Sequence, residues 1–237
     1  GEGWCWDDDN PTLSPLLSER KPNFGEQMLQ ALKDGRIVTA GVKVVPAMAG
    51  STLREGARLL CVRSHKLNEV LVRMLKESDN LYAESVFYQT AATTGHRPAR
   101  ARDARDVEVA LLDSIGLDGR QYRIADGSGL SLYNYLSAEA ETMLLRYAWQ
   151  REGIIQNLLP ALPIAGVDGT LKNRMKETAA EGNVKAKTGS VSGVFALAGY
   201  CTSAAGHQLC FAIINQGVMH GTDARTFQNK ACVIMSE

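Results

Sequence analysis

Lys187-Thr188-Gly189-Ser190, with the strand-like run Val191 to Cys201 directly behind it, is the stretch on which the reading of this chain turns. A lysine and a hydroxyl at the start of a strand, followed by a glycine that leaves no side chain between backbone and ligand, make a seat for a carboxylate. The same residues also occur at the start of an ordinary edge strand, so the stretch needs a second signal. Ser78-Asp79-Asn80 supplies it. Upstream, Leu67, Val70, Leu71, Met74 and Leu75 recur at i, i+3, i+4, i+7 and i+8, which predicts a helix over 67–76, and Leu81, Ala83, Val86 and Phe87 predict another over 81–93. Two residues apart on a helix, Ser78 and Asn80 would point to different faces; in an extended connection they project to the same side. The plainer reading is that one of the three simply caps the second helix.

Outward from these motifs, the chain reads as an ordinary globular composition. Its 237 residues, 45% of them hydrophobic, are enough to bury a substantial core. Lys plus Arg and Asp plus Glu both number 26, so no global basic field argues for nucleic acid or anionic lipid. The one basic cluster, Arg97 to Arg105, reads as a solvated loop and helix face. No apolar run approaches the roughly 18 residues needed to span a bilayer, and Gly1-Glu2-Gly3-Trp4 is not a signal peptide. The cysteines (Cys5, Cys61, Cys201, Cys210, Cys232) lack metal-site spacing and the four histidines are scattered, so neither a metal nor a cofactor is expected. Cys201 and Cys210 flank the Thr202–Gln208 turn and are expected to face each other across a hairpin, as buried small hydrophobes rather than as a disulfide.

Residues 1–22 carry Pro11, Pro15 and Pro22 and read as an irregular connecting segment, with a single domain over 23–237 and a helical subdomain over about 65–160. A helix is expected over Phe24–Lys33, a strand over Ile37–Val45, a short one over Leu59–Val62, and helices over 103–115 and 138–150, the latter with Ser137 as N-cap. Asp126-Gly127-Ser128-Gly129 and Ala165 to Leu171 are glycine-rich turns at a cleft rim, the second leading into a helix over 171–180. Two long strands, 191–202 and 208–216, and a helix from about 223 complete the chain. The order is that of an α+β fold, an antiparallel sheet with helices and a helical subdomain beside it, leaving a cleft between the Ser78 loop and the edge of the Lys187 strand.

With these residues in hand the chain resembles the serine penicillin-binding proteins, in particular D-alanyl-D-alanine carboxypeptidases/endopeptidases of the penicillin-binding protein 4 type. The resemblance rests on Glu77 to Glu84, Asp126 to Ser131, Ala165 to Leu171 with Arg174, and Lys185 to Val194. It implies a β-lactamase/penicillin-binding-protein-like transpeptidase fold and a periplasmic or other extracytoplasmic enzyme without cofactor. Such an enzyme cleaves peptidoglycan stem peptides ending in D-Ala-D-Ala through an acyl-serine and is acylated by β-lactam antibiotics. The residues implied as catalytic are Ser78 as proton relay, Asn80 on a substrate amide, Lys187 beside Ser78, and the Ser190 N–H as an oxyanion donor. Thr188 and Gly189, with Asp126 and Ser128, are implied as substrate-binding. The family nucleophile is the serine of S-x-x-K, whose lysine faces it one helical turn later. The only such string here is Ser18-Glu19-Arg20-Lys21, followed by Pro22, which pushes Lys21 out of the helical region. Ser18 and Lys21 are therefore weak candidates for nucleophile and base; the expectation is that both lie outside this sequence and that the fold is incomplete at its N-terminus. A β-lactamase-like hydrolase and a non-catalytic peptidoglycan- or β-lactam-binding module are the alternatives.

Overall fold

In the computed structural model, residues 24–41, 64–96 and 99–237 are described. Ser18, Lys21, the 1–22 segment and the strand expected over Leu59–Val62 lie outside them. Helix α1 (Phe24–Asp34) belongs to one compact unit and Arg63–Glu237 to another. Beyond α1, Ile37–Gly41 is irregular rather than strand, and the rest of that expected strand falls outside the described residues.

In the larger unit five helices precede a three-stranded sheet: α2 (Leu67–Lys76), α3 (Asn80–Ala92), α4 (Ala101–Ser114), α5 (Ala138–Trp149) and α6 (Glu152–Ala161). The sheet, in the order β1-β2-β3, is antiparallel throughout, with β1 Lys185–Val191, β2 Val194–Thr202 and β3 Gln208–Gln216; α7 (Gly221–Ser236) follows. Four of these helices lie close to where their apolar spacing put them, and Ser137 caps α5 by accepting from the Ala140 N–H at 3.1 Å. Helix α6 was not anticipated; Gly153 and Pro160 blur its periodicity, and Pro160 sits in its last turns.

Three features of the fold differ from the sequence expectation. The Lys187 motif does not merely precede a strand but lies inside one, β1, which Ser192-Gly193 turns back on itself, with Gly193 at φ 75°. Residues 172–183 form no helix. Met175 and Glu177 take left-handed φ values of 60° and 58°, and Arg174 is drawn sideways to α7 by bonds to Asn229 (2.9 Å) and Gln228 (3.0 Å). The tertiary tie overrides a weak local preference. Finally, Thr202 pairs with Gln208, so Cys201 stands opposite Leu209, and Cys210 opposite Tyr200. One residue of offset sends side chains to opposite faces, and both thiols are free.

The two faces of the sheet are covered differently. Leu197, Cys201 and Phe211 pack with Cys232 of α7 and with Leu171, Met175, Ala180 and Val184 in the main core. On the other face Tyr200 donates its hydroxyl to the Leu145 carbonyl of α5 at 2.8 Å and stacks near Trp149. Gly199 is needed where β1 and β2 press together, since a Cβ there would lie 2.2 Å from the Lys185 carbonyl oxygen. A second cluster, Phe87, Ala91, Ala101 and Ala104, joins α3 to α4.

Candidate active site

Ser78 occupies the elbow between α2 and α3. Helix α2 ends in a Schellman turn: the Asp79 N–H reaches back to the Met74 carbonyl at 3.2 Å, and Ser78 takes the left-handed position with φ 56°. Glycine is the usual residue there, because a Cβ makes that conformation costly. Asp79 then caps α3 by accepting from the Tyr82 N–H. The capping reading of the triplet thus holds for Asp79, which leaves the Ser78 hydroxyl outside the cap.

Lys187 meets this elbow from β1. Its Nζ donates to Ser78 Oγ at 2.8 Å across 109 residues of sequence, and to the carbonyl of Thr188 at 2.5 Å. Burial pushes the Lys187 ammonium down to about 8. Thr188 projects to the opposite face of the strand, where its hydroxyl lies 2.9 Å from that of Thr170. Among the described residues, the outer edge of β1 is bonded at its start, where the Ala186 N–H donates to the Pro163 carbonyl and the Ala165 N–H to that of Val184. By the two-residue period of the strand, the N–H groups of Thr188 and Ser190 point to that same outer side. Gly189 and Ser190 are exposed.

The elbow is braced from below by a contact that local sequence did not announce. Lys76 donates to Asp168 and to the Leu162 carbonyl (3.1 Å), while the other Asp168 oxygen accepts from the Ile164 N–H at 2.9 Å. Gly169, at φ 54°, lies so close to the end of α2 that a Cβ would be 2.8 Å from the Lys76 carbonyl oxygen.

The 126–131 loop is fastened to α3 in the same manner. Asp126 is 6% exposed, and its two oxygens accept from the N–H groups of Gly129 (2.8 Å) and Ser131 (2.7 Å) and from the Asn134 amide (2.9 Å). Its carboxylate is occupied by its own loop. Glu84, 1% exposed, accepts from the N–H groups of Gly127 (3.1 Å) and Ser128 (2.9 Å). Burial pushes the Glu84 carboxyl up, although its bonds to Ser128 pull the other way. Behind it, burial and the Glu84 charge raise Glu108 to about 7. Gly127 permits this contact, since a Cβ would lie 2.5 Å from the Phe87 Cβ.

The structure thus brings Ser78, Asn80 (the first residue of α3), Lys187, Thr188, Gly189 and Ser190 to one elbow and strand edge, and holds Asp126 and Ser128 in a loop on α3. Lys76, Asp168, Thr170 and Glu84 were missed as contributors; only their membership in motif blocks distinguished Glu84, Asp168 and Thr170. Among the described residues no group of His, Cys, Asp and Glu could hold a metal ion, and no helix is long and apolar enough to cross a membrane.

Helices gathered about an antiparallel sheet with this strand edge define the architecture of the β-lactamases. The extended-spectrum β-lactamase TLA-3 superposes with a TM-score of 0.51 over 73% of this chain and 62% of its own, at 15% identity, a likeness of fold alone. The family is narrower: residues 16–237 match the D-Ala-D-Ala carboxypeptidase 3 (S13) family, and the chain belongs to it. It is 36% identical over 204 residues to carboxypeptidase DacB of Mycolicibacterium smegmatis, an alignment covering 83% of this chain and 44% of that protein. It is 40% identical over 159 residues to a D-alanyl-D-alanine carboxypeptidase of an Actinomadura species, covering 65% and 29%. Penicillin binding protein 4 of Haemophilus influenzae superposes with a TM-score of 0.60 at 35% identity, covering 65% of this chain and 34% of its own. That protein has also been solved in complex with a β-lactam. The chain therefore spans less than half the length of these relatives.

Proposed function

We propose that this chain carries the proton-relay and carboxylate-binding side of an acyl-serine D,D-peptidase. Its substrates are peptidoglycan stem peptides ending in D-Ala-D-Ala, it is acylated by β-lactams, and it works in the periplasm or elsewhere outside the cytoplasm. The observation that carries the reading is the 2.8 Å bond from Lys187 Nζ to Ser78 Oγ, which joins two motifs far apart in sequence.

The geometry supports the following roles. Ser78 relays a proton toward the leaving amine of the substrate, its hydroxyl held by Lys187, which at neutral pH is mostly charged yet close to the range where it releases a proton. Thr188, with the Lys187 charge behind it, receives the terminal carboxylate, and Gly189 lets the peptide lie against the strand. The outward N–H of Ser190 stabilises the oxyanion, a kind of contact worth about 3 kcal/mol. Asn80 holds a substrate amide. Ser128 faces the substrate from its loop, whereas Asp126, whose oxygens are already taken, shapes that loop instead of touching the ligand. We assign the acylated serine to none of the described residues.

Incubation of the full-length protein with benzylpenicillin, followed by intact mass and peptide mapping, tests this reading. A stoichiometric adduct is expected, with Ser78→Ala and Lys187→Ala slowing its formation by roughly 10²–10⁴-fold. Mapping the adduct to Ser18 would restore the Ser18-Lys21 pair as nucleophile and base. Unchanged acylation rates in both variants would refute the assignment of Ser78 and Lys187.

A further inference from the structure

The hydroxyl of Thr170 lies 2.9 Å from that of Thr188, on the 3-10 turn Gly169–Leu171 that faces the outer edge of β1. Three contacts fix this turn. Leu171 is fully buried in the main core, Gly169 abuts the end of α2, and the adjacent Asp168 carboxylate is bonded to Lys76 and to the Ile164 N–H. Thr170 itself is exposed. A fixed backbone thus presents an accessible hydroxyl to the residue of the strand that receives the carboxylate.

We infer that Thr170 is a specificity-determining residue: it positions the Thr188 hydroxyl for a substrate bearing a free terminal carboxylate, as against a peptide bond or amide at that place. This rests on the function proposed above. A hydroxyl has one proton to donate and two lone pairs to accept with. In the structure Thr188 donates to Thr170. When a carboxylate arrives, the Thr188 proton turns to it and the Thr170 proton turns to Thr188, so the pair keeps its mutual hydrogen bond and the anion gains a donor. Without the Thr170 hydroxyl, Thr188 loses the side-chain partner that, among the described residues, both accepts its proton at rest and can donate to it when the ligand binds. The carboxylate would then meet a donor whose orientation is not set. An amide terminus draws less on this donor, because hydrogen bonds to charged groups are the stronger class.

The test uses the full-length protein and two stem peptides identical except that one ends in D-Ala-D-Ala carboxylate and the other in its C-terminal amide. Wild type is expected to prefer the carboxylate. Thr170→Val, nearly isosteric and exposed, should lower kcat/KM on the carboxylate peptide by about tenfold, chiefly through KM, and leave the amide peptide within about twofold. Thr170→Ser should restore the preference. Equal losses on both peptides would mean that Thr170 only ties the turn to β1, and would overturn the inference, as would no change on either or no wild-type preference. If wild type cleaves neither peptide and takes no penicillin adduct, the proposed function falls and this inference with it. Wild-type cleavage that Thr170→Val does not alter sinks the Thr170 role alone.

Discussion

Replacing Ser78 by glycine and, separately, by alanine isolates the cost of holding a non-glycine residue at the elbow. Both substitutions remove the hydroxyl and with it the 2.8 Å bond from Lys187, so that loss cancels when the two variants are compared. What remains is the backbone at φ 56°. A Cβ in the left-handed region costs roughly 1–2 kcal/mol, whereas glycine gives back about 0.5–1 kcal/mol through the greater freedom of its unfolded chain. Glycine should therefore be the more stable variant by about 0.5–1 kcal/mol. At an ordinary helical position the sign is the reverse. Urea denaturation measures the difference as a higher midpoint for Ser78→Gly at an unchanged slope, and a thermal scan should separate the two by a few degrees at this chain length, about 2–4 °C per kcal/mol. Benzylpenicillin acylation should be slowed alike in both, because the relay hydroxyl is gone from each. An alanine variant as stable as the glycine variant, or more so, would refute the claim that Ser78 is held in a costly conformation for the sake of its hydroxyl.

Lys187 gives a pH signature. Its folded value of about 8 lies below the ordinary 10.5, so between those pH values the unfolded chain binds more protons than the folded one and stability rises with pH. Below pH 8 both states are charged and the burial penalty, at most about 3 kcal/mol, is present in full. Lys187→Met should lack the rise between pH 8 and 10.5 and be no less stable than wild type at pH 7; a pH-stability profile identical to wild type would count against the buried cation. Glu84→Ala strips the Gly127 and Ser128 N–H groups of their acceptor, which should cost about 2–4 kcal/mol in chemical denaturation. Glu84→Gln, whose amide oxygen can accept both bonds, should stay within about 1 kcal/mol of wild type; an alanine variant as stable as the glutamine one would show that Glu84 does not fasten the loop.

Sequence alone determined the helix whose apolar positions recur on one face, from Leu67 to Leu75, whereas the apolar residues of α3 are spread round that helix and marked its extent without marking a face. It also singled out the Ser78 and Lys187 motifs as a pair through the family resemblance, and the structure sets Lys187 Nζ 2.8 Å from Ser78 Oγ. The 172–183 segment was not legible. Its path depends on Arg174 reaching α7 and on left-handed residues at Met175 and Glu177, partners 54 and 55 residues away that no local period reports. The Cys201–Cys210 offset shows how fine the remaining information is: the turn was recognised, but one residue of register decides which face each thiol occupies, and register is set by the packing of Leu197 and Phe211 on one face and Tyr200 on the other. Only the tertiary structure brought Lys76 to Asp168 and Thr170 to Thr188. These contacts are made by ordinary residues whose meaning lies in what stands opposite them after the chain has folded, which is why the motif residues could be found in the sequence and the residues that hold them in place could not.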